Sequence, residues 1–169
     1  MPQPRVELDH ETPLQLLMAT ILSAQCTDQR VNQVTPKLFA RYRCAADYAS
    51  AKQNDLEEII RSTGFYKSKA KRLIECGRAL VDRFGGEVPR TMDELTSLPG
   101  VGRKTANVLL GHVFGQPAVV VDTHVRRMAH RLGLSRFQDP DRIEADLQCV
   151  MARDSWTSGS QRLLLHGRY

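Results

Sequence analysis

The stretch Leu98-Pro99-Gly100-Val101-Gly102-Arg103-Lys104-Thr105-Ala106 decides how this chain is read. Two glycines one residue apart make a tight turn whose backbone amides can approach a bound group closely, and the flanking residues carry helical patterning. A helix that starts just after such a turn aims its positive dipole end at the same anion, which makes the turn a phosphate clamp. Lys104 falls in the first turn of the second helix, so its amine stands beside whatever the clamp holds. An amine in that place is a candidate nucleophile for imine chemistry; its plainer role is a lysine that only contacts phosphate.

Downstream, Val121-Asp122-Thr123-His124 opens an apolar-periodic run that reaches about Leu132. Asp122 is a good N-cap there, worth about 1 kcal/mol with no need for catalysis. A capping carboxylate stays ionised, so it can also stabilise a developing cation or take a proton.

With these residues in view, Leu98–Asn107 and Val121–His124 resemble the endonuclease III family of DNA glycosylase/abasic-site lyases. Ser23-Ala-Gln-Cys-Thr-Asp28, Gly64-Phe-Tyr-Lys-Ser-Lys-Ala70 and His166-Gly-Arg-Tyr169 match further segments of that family, so the resemblance runs from about Pro13 to Tyr169. A glycine hairpin alone is shared by many DNA-binding proteins; the lysine two residues after the second glycine and the spaced aspartate make the match specific. The resemblance implies an all-α helix-hairpin-helix glycosylase fold. It places a six-helix barrel domain over about 6–116, an incomplete second helical domain over 117–169, and a DNA cleft between them.

The same resemblance implies roles. Lys104 is the nucleophile that forms an imine at C1′, and Asp122 is the catalytic carboxylate. Gln25 and Phe65 fill the gap left when a nucleotide swings out of the duplex, with Tyr66 and Lys67 beside them. Leucine is usual at the position of Phe65, so the wedge departs from the family pattern. Gly100, Val101, Gly102, Arg103 and Thr105 form the phosphate-binding hairpin, and His124 either contacts DNA or packs in the first turn of its helix. The implied reaction is removal of oxidised pyrimidines such as thymine glycol from double-stranded DNA, followed by β-elimination at the abasic site. Lysine at 104 speaks against the mismatch adenine and thymine-mismatch branches. A different reading stays open: a noncatalytic helix-hairpin-helix DNA-binding module, or a disabled fragment.

Composition is permissive. At 169 residues and 41% hydrophobic content the chain can bury one good core or two small ones. Lys and Arg exceed Asp and Glu by 24 to 19, a net charge of +5 that suits a polyanion without demanding one. No apolar run reaches the roughly 18 residues of a membrane span, and the start lacks a signal-peptide core; a cytoplasmic, nucleoid-associated protein without a membrane partner is expected. Cys26, Cys44, Cys76 and Cys149 lack ligand spacing and read as free thiols. The family's four-cysteine iron-sulfur loop follows the His-Gly-Arg-Tyr segment, so no metal or cofactor is expected within this chain. Its usual first helix is also expected to be missing. A monomer is expected, with lowered stability or self-association if Leu163, Leu164 and Leu165 stay uncovered.

The periodicity is helical nearly throughout. It predicts a buried helix from Pro13 to about Gln25 capped by Thr12, and a second capped by Thr27 or Asp28 that Pro36 kinks or splits. Further helices are predicted over about 54–63, 68–84 (stopped by Gly85-Gly86), 91–98 and the hairpin's second helix to Phe114. Gly115–Val121 reads as an extended linker. Asp139-Pro140 opens a helix to about Arg153, and Ser158 or Ser160 begins the last. Lys67, Lys69, Lys71 and Arg72 beside the wedge, and Arg126, Arg127 and Arg131 after Asp122, are candidate phosphate contacts, with solvated helix faces as the default.

Overall fold

A computed structural model describes residues 6–169, and these divide into two compact units, Val6–Ala106 and Asn107–Tyr169. All regular structure among the described residues is helical, as the periodicity predicts. None of these helices is long and apolar enough to cross a membrane.

In the first unit α1 (Pro13–Leu22) is a core helix because apolar residues crowd its whole circumference: Leu16, Leu17, Met18, Ala19, Ile21 and Leu22 are all buried. Thr12 caps it by accepting the Gln15 amide, and Pro13 fills the first position, where no N–H is needed. It ends three residues before Gln25, whose left-handed backbone (φ 52°) cannot continue a helix. Thr27 caps α2 (Asp28–Arg41), which runs through Pro36 as one helix rather than splitting there. Proline removes a single backbone bond, and the buried stripe Val31, Val34, Thr35 and Leu38 holds the turns on either side of it.

The next helix, α3 (Ala45–Ala49), has no counterpart in the sequence reading. Five residues are too few to show a period, and its start signal is indirect: Asp47 reaches back to accept the Arg43 and Cys44 amides at 2.7 and 3.2 Å. Those two backbone donors, Arg43 first, hold the Asp47 carboxyl below the usual range. After α4 (Gln53–Ile60), residues expected to extend that helix instead tighten into a 3-10 turn, Arg61–Thr63. The long α5 (Tyr66–Phe84) starts two residues before the predicted Ser68 and stops where Gly85 turns left-handed (φ 61°), with the Gly86 amide bonded to Leu80. Thr91 caps the short α6 (Met92–Thr96).

The second unit is built on Val119, Val121, Val125, Ala129, Ile143 and Leu147, with Leu134, Met151, Trp156, Leu163 and Leu164 packed against them. Its helices are most of α7 (Arg103–His112), α8 (Thr123–Arg131), α9 (Pro140–Val150) and α10 (Trp156–Arg168). Asp139 caps α9, which stops three residues before the predicted Arg153; α10 starts before Ser158, where the Trp156 indole donates to the Met151 carbonyl at 3.1 Å.

Gly77 on α5 is the closest approach in the first unit. A Cβ there would lie 2.6 Å from Tyr48 Cβ, 2.8 Å from the Ala49 nitrogen and 2.9 Å from the Ala45 oxygen, so α3 has no room to accept one. Gly77→Ala should therefore lower stability by about 3 kcal/mol in a urea titration, the upper range for overpacking.

Candidate functional site

Gln25, Phe65, Tyr66, Lys67 and the hairpin residues 100–105 lie where a helix begins or a turn precedes one. In the hairpin the Val101 amide closes onto the Leu98 carbonyl at 3.1 Å, and Val101 packs inward at 6% exposure. Gly100 is obligatory on conformational grounds: its φ of 78° is left-handed, and a Cβ would meet the Arg72 side chain at 3.4 Å. Gly102 is different. Its backbone is not left-handed, and a Cβ placed on it would meet nothing within 4 Å. The fold does not require a glycine there, whereas a group approaching the start of α7 would. Arg103 and Lys104 are exposed in the first turn of α7, and Thr105 is half-buried. The amides of that turn have no acceptor within the helix.

Gln25 and Phe65 share an unusual property. Among the described residues they are the two non-glycine positions with left-handed backbone, at φ 52° and 47°. Such a conformation costs an L-residue on the order of 1–2 kcal/mol. Gln25 is exposed, and the Phe65 ring is 67% exposed at the start of α5, where an apolar side chain gains nothing from water. Tyr66 lies under the Arg61 guanidinium at 5.5 Å. Both residues, with Lys67, Asn54, Glu57 and Glu58, line a cleft of about 310 Å³.

The basic residues that follow Phe65 differ in their surroundings. Lys67 is exposed. Lys69, expected among the phosphate contacts, is 1% exposed, and its ammonium donates to the Thr63 carbonyl at 2.8 Å. Burial pushes its pKa down, with Cys26 opposing. Lys71 faces Glu75 at 3.8 Å, and Arg72 lies along Gly100. Sequence missed the burial of Lys69 because a lysine on an otherwise charged stretch of helix carries no mark of facing inward.

In the second unit Asp122 caps α8: its Oδ1 accepts the Val125 amide at 2.8 Å, and the residue is half-buried. His124 uses its Nδ1 toward the Gly167 carbonyl at 3.3 Å, and Arg127 donates to the same oxygen. The His124 ring thus meets α10 through Nδ1 at the start of α8, and the exposed Arg127 shares that carbonyl. A Cβ on Gly167 would come within 3.0 Å of the His124 oxygen, so Gly167 lets α10 close on α8.

A buried polar network unmarked by any spacing holds the segment before Asp122. Asn107 Nδ2 donates to the Val119 carbonyl at 3.0 Å and to Glu144 Oε2 at 3.1 Å; Gln148 donates to Glu144 Oε1 at 3.1 Å. Thr157 and Ser160 accept the Ala118 and Val120 amides. The extended segment thus has its backbone satisfied by side chains from α7 and α10 rather than by a second strand. Asn107→Ala should cost about 2 kcal/mol in thermal or urea unfolding, since it strands the Val119 carbonyl and loosens a buried carboxylate.

No group of three or more His, Cys, Asp or Glu side chains is placed to hold a metal among the described residues. Cys44 and Cys149 are exposed, Cys26 is half-buried and Cys76 is buried, so these four do not fit a shared cluster. Burial pushes the Cys76 thiol up to about 12. Iodoacetamide on the native protein should alkylate Cys44 and Cys149 and spare Cys76, read by peptide mass spectrometry.

The model of the HhH-GPD superfamily base excision DNA repair proteins matches residues 18–153. The chain is 54% identical to endonuclease III of Synechocystis sp. over 95% of its own length and 74% of that protein's, and 44% identical to endonuclease III of Bacillus subtilis over 99% and 77%. Among solved structures it superposes on a trapped endonuclease III-DNA covalent intermediate with a TM-score of 0.95 and 46% identity, covering 99% of this chain and 79% of that one. A thermostable thymine-DNA glycosylase, 22% identical with a TM-score of 0.77, shares the fold. The chain belongs to the HhH-GPD superfamily of base excision DNA repair proteins, and within it to the endonuclease III family of DNA glycosylases.

Proposed function

We propose that the chain is a bifunctional glycosylase/lyase that removes oxidised pyrimidines of the thymine glycol type from double-stranded DNA and then breaks the strand through an imine on Lys104. The observation that supports this reading best is local. An exposed lysine stands in the first turn of α7, two residues after Gly102, a glycine that the fold's own packing does not need. A clamp that only had to fold would tolerate alanine at that position; one that admits a phosphate to the helix start would not.

Lys104 Nζ attacks C1′ of the damaged nucleotide while the bond from C1′ to the base breaks, and the base departs with that electron pair and takes a proton. Opening of the sugar ring gives a protonated imine between C1′ and Nζ. The imine draws electrons from C2′, a proton leaves C2′, and the C3′–O bond breaks with the phosphate as leaving group. Water then hydrolyses the imine and frees Lys104. Asp122 supplies the carboxylate that offsets the positive charge growing on the sugar and takes the proton lost by the attacking amine. The roles of Lys104 and Asp122 come from the family correspondence of their motifs. Trapped and noncovalent endonuclease III-DNA complexes are the solved structures it resembles at 46% identity, which supports DNA as the partner.

Borohydride added to the protein with a duplex carrying one abasic site should give a stable protein-DNA adduct. Lys104→Gln should abolish that adduct and retain duplex binding; an unchanged adduct yield removes Lys104 from the reaction. Asp122→Asn keeps a good cap, so it should melt within a few degrees of the parent while excision falls by roughly 10²-fold or more. Gly102→Ala should leave the melting temperature in place and weaken duplex binding, and equal binding would remove the hairpin from the interface.

A further inference from the structure

The exposed ring of Phe65 is held out by an unusual device. The Lys69 side chain holds the backbone that leads into it: the ammonium donates to the Thr63 carbonyl at 2.8 Å, while the Phe65 carbonyl accepts the Lys69 amide at 3.0 Å in the ordinary first bond of α5. The Ser68 hydroxyl adds a second donor to the Phe65 carbonyl at 3.0 Å. Between those two carbonyls lie the only consecutive left-handed residues, among the described ones, in which one member carries a side chain: Gly64 at φ 73° and Phe65 at φ 47°. Thr63 is itself pinned, buried with its hydroxyl on the Ile60 carbonyl at 2.7 Å.

A buried ammonium is costly, and a well-packed apolar side chain in its place is often neutral or stabilising. Retaining one at 1% exposure therefore calls for a use other than stability, and at that burial Lys69 cannot reach a phosphate.

We infer that Lys69 is a positioning residue for lesion extrusion, locking the strained backbone around Phe65 so that the ring stands ready to enter the base stack. The inference rests on the reading of Phe65 as the wedge that fills the vacated space. Preorganisation of this kind lowers the cost of ordering a loop on binding, and small misplacements of such groups cost on the order of 10²-fold in rate.

The test is a double-mutant cycle of Lys69→Met and Phe65→Ala, read as single-turnover excision of thymine glycol from a duplex with 2-aminopurine opposite the lesion. Phe65→Ala should slow excision and quench the rise in 2-aminopurine fluorescence. Lys69→Met should do the same, by roughly 10- to 100-fold, and because it also strands the Thr63 carbonyl it should melt a few degrees below the parent. The double variant should be no slower than Phe65→Ala alone. Losses that multiply overturn the role of Lys69 and leave the wedge intact; a Phe65→Ala protein of full rate overturns the wedge reading and the inference with it. Should Lys69→Met fail to fold, Lys69→Arg enters the same cycle under the same criterion. A loss that is equal on duplex and on a single-stranded abasic oligonucleotide, which has no stack to enter, also overturns it.

Discussion

Each helix begins with amides that have no partner within the helix, and the candidate site is assembled from how this chain deals with them. At α8 the orphan donor is met by Asp122. At α7 the start follows Gly102, where a Cβ would meet nothing within 4 Å. At α5 the helix begins from a left-handed Phe65, whose carbonyl is taken by Lys69 and Ser68. Two of these starts order a candidate side chain through the backbone of the helix it opens: Asp122 by its cap and Phe65 by its left-handed turn.

What was legible in the sequence follows from the same cause. Caps and stops are short-range, so Thr12, Thr27, Asp122, Asp139 and Gly85 could be read from one or two turns of chain. The glycine hairpin and its lysine were legible because a tight turn demands special residues at fixed offsets. Burial of charge was not. Lys69 and Lys67 are both lysines on the first turns of one helix, yet one is enclosed and the other exposed. The facing is set by the Thr63 carbonyl and the packing around it, which no local pattern encodes. The polar network of Asn107 and Glu144 was hidden likewise, since its members are 37 residues apart.

This difference bears on how a basic sequence should be weighed. A net charge of +5 invites a count of cations along a presumed DNA surface. Of the positions such a count would include, Lys69 supports a carbonyl, Arg127 supports another, and Lys71 faces a glutamate. Burial removes Lys69 from that count, whereas Lys71 keeps a 68% exposed side chain and Arg127 is exposed. The exposed Phe65 and the cleft lined by Tyr66 and Lys67 are surface that a count of charges leaves out.

Asp122 shows why structural and chemical roles need not compete. A carboxylate has two oxygens and about four acceptor sites, and the cap uses Oδ1 for one amide. Oδ2 remains for a second partner, and the cap fixes the rotation that decides where it points. A side chain already ordered by folding loses little freedom when a cation forms beside it, which is the condition under which a fixed charge lowers a barrier most. Asparagine would preserve the cap and its geometry while removing the charge, so the two roles are separable by one atom. A cap of this kind leaves a helix start with a preoriented charge, and the contribution of Asp122 to stability does not count against a second role for it.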